Sequence, residues 1–193
     1  MTSSLLAQFL PDYHLHELHA ITIHAPAARV YRALHELTAR EIWLTRPLFF
    51  LRSLPAMLKG KRGFARFDDA PLLAQIVREN FILLGAEAER EIVLGTIGKF
   101  WRASGAMHHF RTAEEFVAFH LPGFAKAALN FRLTALAENK TRLETETRIV
   151  CTDAEARKKF SWYWRLIYPG SALIRIIWLR AIKKRAERIE IPS

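Results

Sequence analysis

Apolar and polar residues change rhythm several times along the chain, and each change marks an element. From His16 to His24, Leu18, Ala20 and Thr22 alternate with His19, Ile21 and Ile23, the period of two of a β-strand. Ala25-Pro26 switches the period. Proline suits a first helical turn, and Val30, Ala33, Leu34 and Leu37 then line one side of a short helix. A second helical region runs from Ala39 with Ile42, Trp43, Leu48, Phe49, Leu51 and Leu58, divided by Pro47 and Pro55. Asp69-Ala-Pro71 opens another helix start, with Leu72, Leu73, Ile76 and Val77 as its apolar side.

From Phe81 the pattern turns to β. Phe81–Gly85 and Glu91–Ile97 read as strands joined by a polar turn over Glu87-Ala-Glu-Arg90, with Gly95 and Gly98 marking a bulge or a bend. Arg102–Arg111 reads as a loop and Thr112–Glu115 as a single helical turn. Three strands follow: Phe116–Leu121, closed by Pro122-Gly123, then Lys126–Leu136 and Thr141–Cys151. In the last two, odd-numbered positions are apolar or threonine and even-numbered ones carry Asn130, Arg132, Arg142, Glu144, Glu146 and Arg148. That is an antiparallel hairpin wet on one side. Keeping both charged sets on one face requires paired numbers with an even sum. A loop of Glu138, Asn139 and Lys140 gives 278, with Asn139 or Lys140 at positive φ, and sets Arg132 opposite Glu146 and Asn130 opposite Arg148.

The longest pattern comes last. Thr152 and Glu155 have capping-box spacing, with Asp153 as the alternative N-cap. Behind them Phe160, Trp164, Ile167, Ile174, Trp178 and Ile182 form one stripe at helical spacing. Pro169-Gly170 interrupts it, which predicts a helix kinked near Tyr168 or two helices end to end. A stripe this long and aromatic needs a sheet to lie against, with Phe160 and Trp164 buried.

This order of elements resembles the helix-grip pattern of the SRPBCC superfamily, which includes START domains, pollen-allergen-like proteins and polyketide cyclases. The resemblance is carried by His19-Ala-Ile-Thr-Ile-His-Ala-Pro-Ala-Ala-Arg-Val-Tyr-Arg-Ala-Leu34, by Glu91-Ile-Val-Leu-Gly-Thr-Ile-Gly-Lys-Phe-Trp101, and by Thr145-Glu-Thr-Arg-Ile149 with the terminal helix behind it. It implies an α+β fold in one domain over residues 1–193, in which a curved antiparallel sheet of six or seven strands wraps a long C-terminal helix. It also implies a cavity between the two that takes a hydrophobic small molecule or lipid. The stretch from Ala39 to Asn80 is longer than the simplest members need, and the Pro-Gly break is not part of the general pattern.

Composition changes this picture in one respect. The net charge is +10, and Ala154–Arg188 holds ten Lys/Arg against two acidic residues, +8 of that total. Arg180, Lys183, Lys184, Arg185 and Arg188 therefore suit a solvated helix end or an anionic membrane surface. Nucleic acid ranks last, because no recognised binding motif accompanies the charge. Cys151 is the one cysteine, which excludes an internal disulfide and a zinc–thiolate site. Met1–Leu10 lacks the basic start of a signal peptide. Phe160–Ile182 contains Arg165, Pro169, Arg175 and Arg180, too many interruptions for a membrane span. A cytoplasmic protein is expected.

Candidate chemistry is sparse. His14 and His16 share a strand face but lack further converging donors, so no metal and no cofactor is expected. Glu144 and Glu146 look like a carboxylate pair, yet alternation sets them with arginines on the charged face. No nucleophile or phosphate-loop motif is present. Trp101, Phe119, Phe131, Tyr163 and Trp164 are the candidate cavity lining, and Thr145 and Thr147 its polar members. The reading favoured is a binding protein; a cyclase- or dehydratase-type enzyme is the rival, to be recognised by a His or Glu facing the pocket.

Overall fold

A computed structural model describes residues 4–38, 41–42, 70–78, 80–102 and 106–188. Six strands form one antiparallel sheet: β1 (Leu15–Ile23), β2 (Ile82–Glu87), β3 (Glu91–Lys99), β4 (Ala106–His108), β5 (Ala125–Ala137) and β6 (Lys140–Cys151). They lie in the order β1-β6-β5-β3-β2, with β4 paired to β3. The helices are α1 (Leu5–Phe9), α2 (Ala27–Glu36), α3 (Leu72–Arg78), α4 (Ala113–Ala118) and α5 (Ala154–Ala186). This is the helix-grip α+β architecture, with α5 as the gripped element. The second helical region expected from Ala39, with its prolines, falls outside the described residues apart from Glu41 and a buried Ile42.

Helix α5 is continuous through Pro169. Asp153 is its N-cap, its carboxylate accepting from Ala156 N at 2.7 Å. Thr152 instead bonds the Phe124 backbone at 3.0 Å in both directions. Phe160 is buried in a cluster with Ala125, Ile149, Cys151 and Ala156, and Trp164 packs at its edge, half-buried. Farther along, Ile174, Trp178 and Ile182 join Ile92, Leu94, Phe131, Leu133 and Leu143 of the sheet and Val30, Leu34 and Leu37 of the α2 region.

The other face of the sheet is covered as well. Leu6 and Leu10, with Phe110 and Phe116, pack on Val93 and Ile97. A buried carboxylate holds α1 there: Glu91 accepts from Ser4 Oγ (2.7 Å), from Leu5 N (2.8 Å) and from Asn130 Nδ2 (2.7 Å). The free amides at a helix start favour a negative charge. Lys126 also points to this side, donating to Val117 O at 2.9 Å, and burial pulls its ammonium below the ordinary lysine range.

Four expectations are corrected. The β5–β6 hairpin pairs Leu133 with Leu143 and Arg132 with Glu144, a register sum of 276 rather than 278. Its turn is Glu138-Asn139, between Ala137 and Lys140, and a bulge at Leu136 absorbs the odd residue so that both faces stay as expected. Neither Asn139 nor Lys140 has positive φ. Phe116–Leu121 is not a strand: Thr112 caps α4, accepting from Glu115 N at 3.2 Å. Arg102–Arg111 is not all loop, because β4 pairs Met107 with Gly98. The bulge of this region lies on β2, between Leu83 and Gly85, and Gly95 on β3 packs closely against it, since a Cβ there would sit 2.6 Å from Leu84 Cδ1.

Candidate functional site

Alternation along β1 sends Leu15, Glu17, His19, Ile21 and Ile23 to one face, opposite Ile149, Thr147, Thr145, Leu143 and Thr141 of β6. Leu143 and Ile149 belong to the clusters under α5, so this is the gripped face. The next strands continue the same rows: Leu129 pairs with Thr147 and with Leu94, and Phe131 with Ile92. The face is apolar toward both ends of α5. Between them it carries a carboxyl, an imidazole and three threonines: Glu17, His19, Thr96, Thr145 and Thr147.

Glu17 is only 4% exposed. Its Oε1 lies 2.7 Å from His19 Nε2, and its Oε2 accepts from Ser171 Oγ at 3.0 Å. Ser171 stands on α5 just past Pro169-Gly170, so the serine ties the middle of the helix to edge strand β1. A buried carboxyl group needs such partners, because desolvation without them costs several kcal/mol, on the order of 3–5. The His19 side chain is 19% exposed, which leaves the ring open on one side.

Helix α5 has its buried residues toward its two ends. Phe160 and Ile174 are buried, and no residue from Ser161 to Leu173 is. On the gripped face Thr96 Oγ1 and Thr145 Oγ1, and on α5 Trp178 Nε1, are buried polar atoms with no hydrogen-bond partner among the described residues. Each such atom costs about 1–3 kcal/mol if nothing meets it. Trp178 packs its ring 6.3 Å from Phe131, and the Arg175 guanidinium lies over it at 4.9 Å.

The seven lining residues expected from sequence fall into three groups. Phe131, Thr145 and Thr147 lie on the gripped face, in the rows just described. Trp101, Tyr163 and Trp164 gather around Phe160 at the N-terminal end of α5, with ring centroids 5.7–6.3 Å from it. Phe119 is left out: it follows α4 and packs against His108 and Phe124 on the opposite face. Glu17, His19, Thr96 and Ser171 were not found by sequence reasoning. The signal for the first two was their spacing, four and two residues before Ile21 on the same side of one strand.

The carboxylates that did attract notice lie on the charged face. Glu144 pairs with Arg142 at 3.0 Å, and Glu146 with Arg148 at 2.8 Å, not with Arg132. His14 Nδ1 accepts from Cys151 N at 3.0 Å, and burial with the nearby Arg157 charge holds its ring below the usual histidine range. Burial pushes the Cys151 thiol up to about 11. Among the described residues no group of three His, Cys, Asp or Glu converges on a common point. Of the basic helix end, Lys183 is held by Glu187 and Thr22 O, and Arg185 by Glu36 and Glu41. Among the described residues no helix is long and apolar enough to cross a membrane.

No family model and no curated protein matches the chain. Solved structures do. A protein from Mesorhizobium loti is 14% identical over 92% of this chain and 100% of its own, with a TM-score of 0.44. The Zhui aromatase/cyclase from a Streptomyces species is 16% identical over 90% and 94%, with a TM-score of 0.32. A point mutant of norcoclaurine synthase from Thalictrum, solved with a transition-state analogue, is 10% identical over 89% and 93%, with a TM-score of 0.40.

Proposed function

We propose that this protein binds a small, mainly apolar molecule with one or two hydrogen-bonding groups, between the gripped sheet face and the middle of α5. One observation carries the reading: Thr96, Thr145 and Trp178 have buried polar atoms without partners among the described residues, on an otherwise apolar wall under α5. Ligand sites have this composition, with apolar walls supplying affinity and a few polar groups fixing orientation. Phe131, Thr145, Thr147 and Trp178 form the wall beside the Glu17–His19 pair, and Trp101, Tyr163 and Trp164 the aromatic end. A lipid chain and a compact aromatic compound both suit such walls. Native mass spectrometry of protein purified without detergent tests the reading. A co-purified small molecule, lost in a Thr145→Val, Trp178→Phe double variant, is expected. Bare protein that also fails to bind a fluorescent apolar probe such as anilinonaphthalene sulfonate would contradict it.

A second reading has its own observation. Trp162 (66% exposed), Leu166 (82%) and Leu173 (43%) follow one another along the outer side of α5, and Arg165 lies over the Trp162 ring at 5.2 Å. Exposed Lys158, Arg180 and Lys184 fall on the same side. Apolar side chains flanked by cations suit an anionic membrane surface. It shares Arg180 and Lys184 with the helix end named from sequence, while Lys183 and Arg185 of that end are already engaged. Binding to vesicles of mixed anionic and neutral lipid, weakened in high salt and by Leu166→Glu, supports this reading. Equal binding to purely neutral vesicles contradicts it.

A further inference from the structure

On the face of the sheet away from α5, we infer a receptor for a short amphipathic helix: the chain's own N-terminal segment fills it, and two copies of the chain pair by exchanging that segment. This goes beyond ligand binding under α5 and does not rest on it. The starting point is Glu91, which is 4% exposed and meets α1 together with Asn130, 2% exposed. Glu91 Oε1 accepts from Ser4 Oγ at 2.7 Å, Leu6 N at 3.1 Å and Asn130 Nδ2 at 2.7 Å, and Oε2 accepts from Leu5 N at 2.8 Å. Three of these four donors belong to the N-terminal segment. Asn130 is fixed in turn, its Oδ1 accepting from Glu146 N at 2.8 Å. A buried charge short of donors is strongly unfavourable. The sheet thus carries a group that is satisfied when a helix start is seated on it.

The rest of the seat is apolar. It is built chiefly from β2, β3, β5 and α4. Leu6 and Leu10 are buried there among Val93, Ile97, Phe110 and Phe116. Phe9 lies against Gly85, where a Cβ would stand 3.0 Å from its ring. The seat therefore reads a polar start at Ser4 and apolar side chains at Leu6, Phe9 and Leu10, which is the recognition of an amphipathic helix in a groove.

The link between segment and fold allows exchange. The chain leaves this seat to enter β1, which lies at the edge of the sheet opposite β2. Pro11, Asp12 and Tyr13 on the way are exposed, and His14 is anchored, its N donating to Ile149 O at 2.8 Å. The four steps from Leu10 to His14 reach at most about 14 Å. The segment can thus pass to a copy whose outer face meets this one beside β1. That surface suits a second copy. Leu18 is 49% and Tyr13 41% exposed there, and Arg142 and Glu144 supply charge of both signs. Under two-fold symmetry each chain gives one segment and offers one seat. Every contact of α1 is remade, and the two forms differ at the hinge and in the newly covered surface.

The experiment takes two full-length variants. Leu6→Asp spoils the segment and leaves the seat; Gly85→Ile blocks the seat and leaves the segment. In sedimentation velocity, wild type should form a concentration-dependent dimer of the 22.3 kDa chain. Each variant alone should stay monomeric. Their equimolar mixture should dimerise, more weakly than wild type, because one intact segment meets one intact seat. Deleting Asp12 should raise the wild-type dimer fraction and inserting Gly-Ser-Gly after Asp12 should lower it, since a short hinge favours exchange and a long one lets the segment fold back. A wild type monomeric at every concentration overturns the inference. So does a mixture that fails to dimerise, a single variant that dimerises as readily as wild type, or dimerisation indifferent to hinge length. Should the variants fail to fold, NMR of mixed labelled and unlabelled wild-type chains decides. Contacts between Leu6 methyl groups of labelled chains and Phe116 rings of unlabelled ones support exchange. A dimer whose Leu6 contacts lie only within each chain overturns it.

Discussion

Thr145 holds a hydroxyl where a valine would fit equally well. A buried hydroxyl without a partner is a cost, and a methyl in its place is a gain. Thr145→Val should therefore raise the unfolding free energy of the ligand-free protein by about 1 kcal/mol, while weakening binding of a co-purified ligand. Denaturant titration with and without ligand checks both halves. A destabilised variant would mean that the hydroxyl has a partner within the protein. Lys126 makes a second residue-level case. Its folded pKa lies below the ordinary 10.5, so the unfolded chain binds more protons between the two values. Stability should then rise with pH through that window, and Lys126→Met should lack this rise. Wild type and variant with parallel pH dependence would contradict it.

At the scale of elements, strand β3 shows how close packing replaces conformational freedom as the reason for a glycine. Every residue from Glu91 to Gly98 is buried, and the Leu84 side chain of β2 fills the place beside Gly95. Gly95→Ala should cost about 1–3 kcal/mol by overpacking, and shortening the neighbour with Leu84→Ala should recover part of it. Full additivity of the two losses would show that they do not touch. The elements differed in how legible they were. Helix α2 and the two faces of β5 and β6 follow directly from periods of 3.6 and two. Phe116 and Phe119 suit β structure and point to a strand over part of α4, yet the Thr112 cap with Glu115 three residues on decides the backbone. Strand β4 and helix α1, at three and five residues, are too short to carry a period. The Leu136 bulge left the face assignment intact while moving each partner by two. For the site, alternation shows which residues share a face but not which face is covered. In β1 both sides are similarly apolar, since Leu18, Ala20 and Thr22 oppose His19, Ile21 and Ile23. Only the position of α5 reveals that Glu17 and His19 face inward.

Over the whole molecule, the last helix does two jobs with two ends. Phe160 fastens it to one end of the sheet, and Ile174, Trp178 and Ile182 fasten it to α2 and the other end. Between the two, Ser171 holds the helix to Glu17. Removing that contact with Ser171→Ala should leave the unfolding midpoint nearly unchanged relative to core truncations. It should raise amide exchange of the helix between Ser161 and Leu173 selectively, because a segment with few buried contacts opens locally at low cost. Uniformly faster exchange along all of α5 would contradict this division. The most direct test of the central claim is an NMR titration of the full-length protein with anilinonaphthalene sulfonate, following backbone amides. The account predicts shifts concentrated at Glu17, His19, Thr96, Thr145, Thr147, Ser171 and Trp178. Shifts confined to the open pocket at the β2–β4 edge, around Phe81, Ile82 and His108, would place the ligand elsewhere and contradict it.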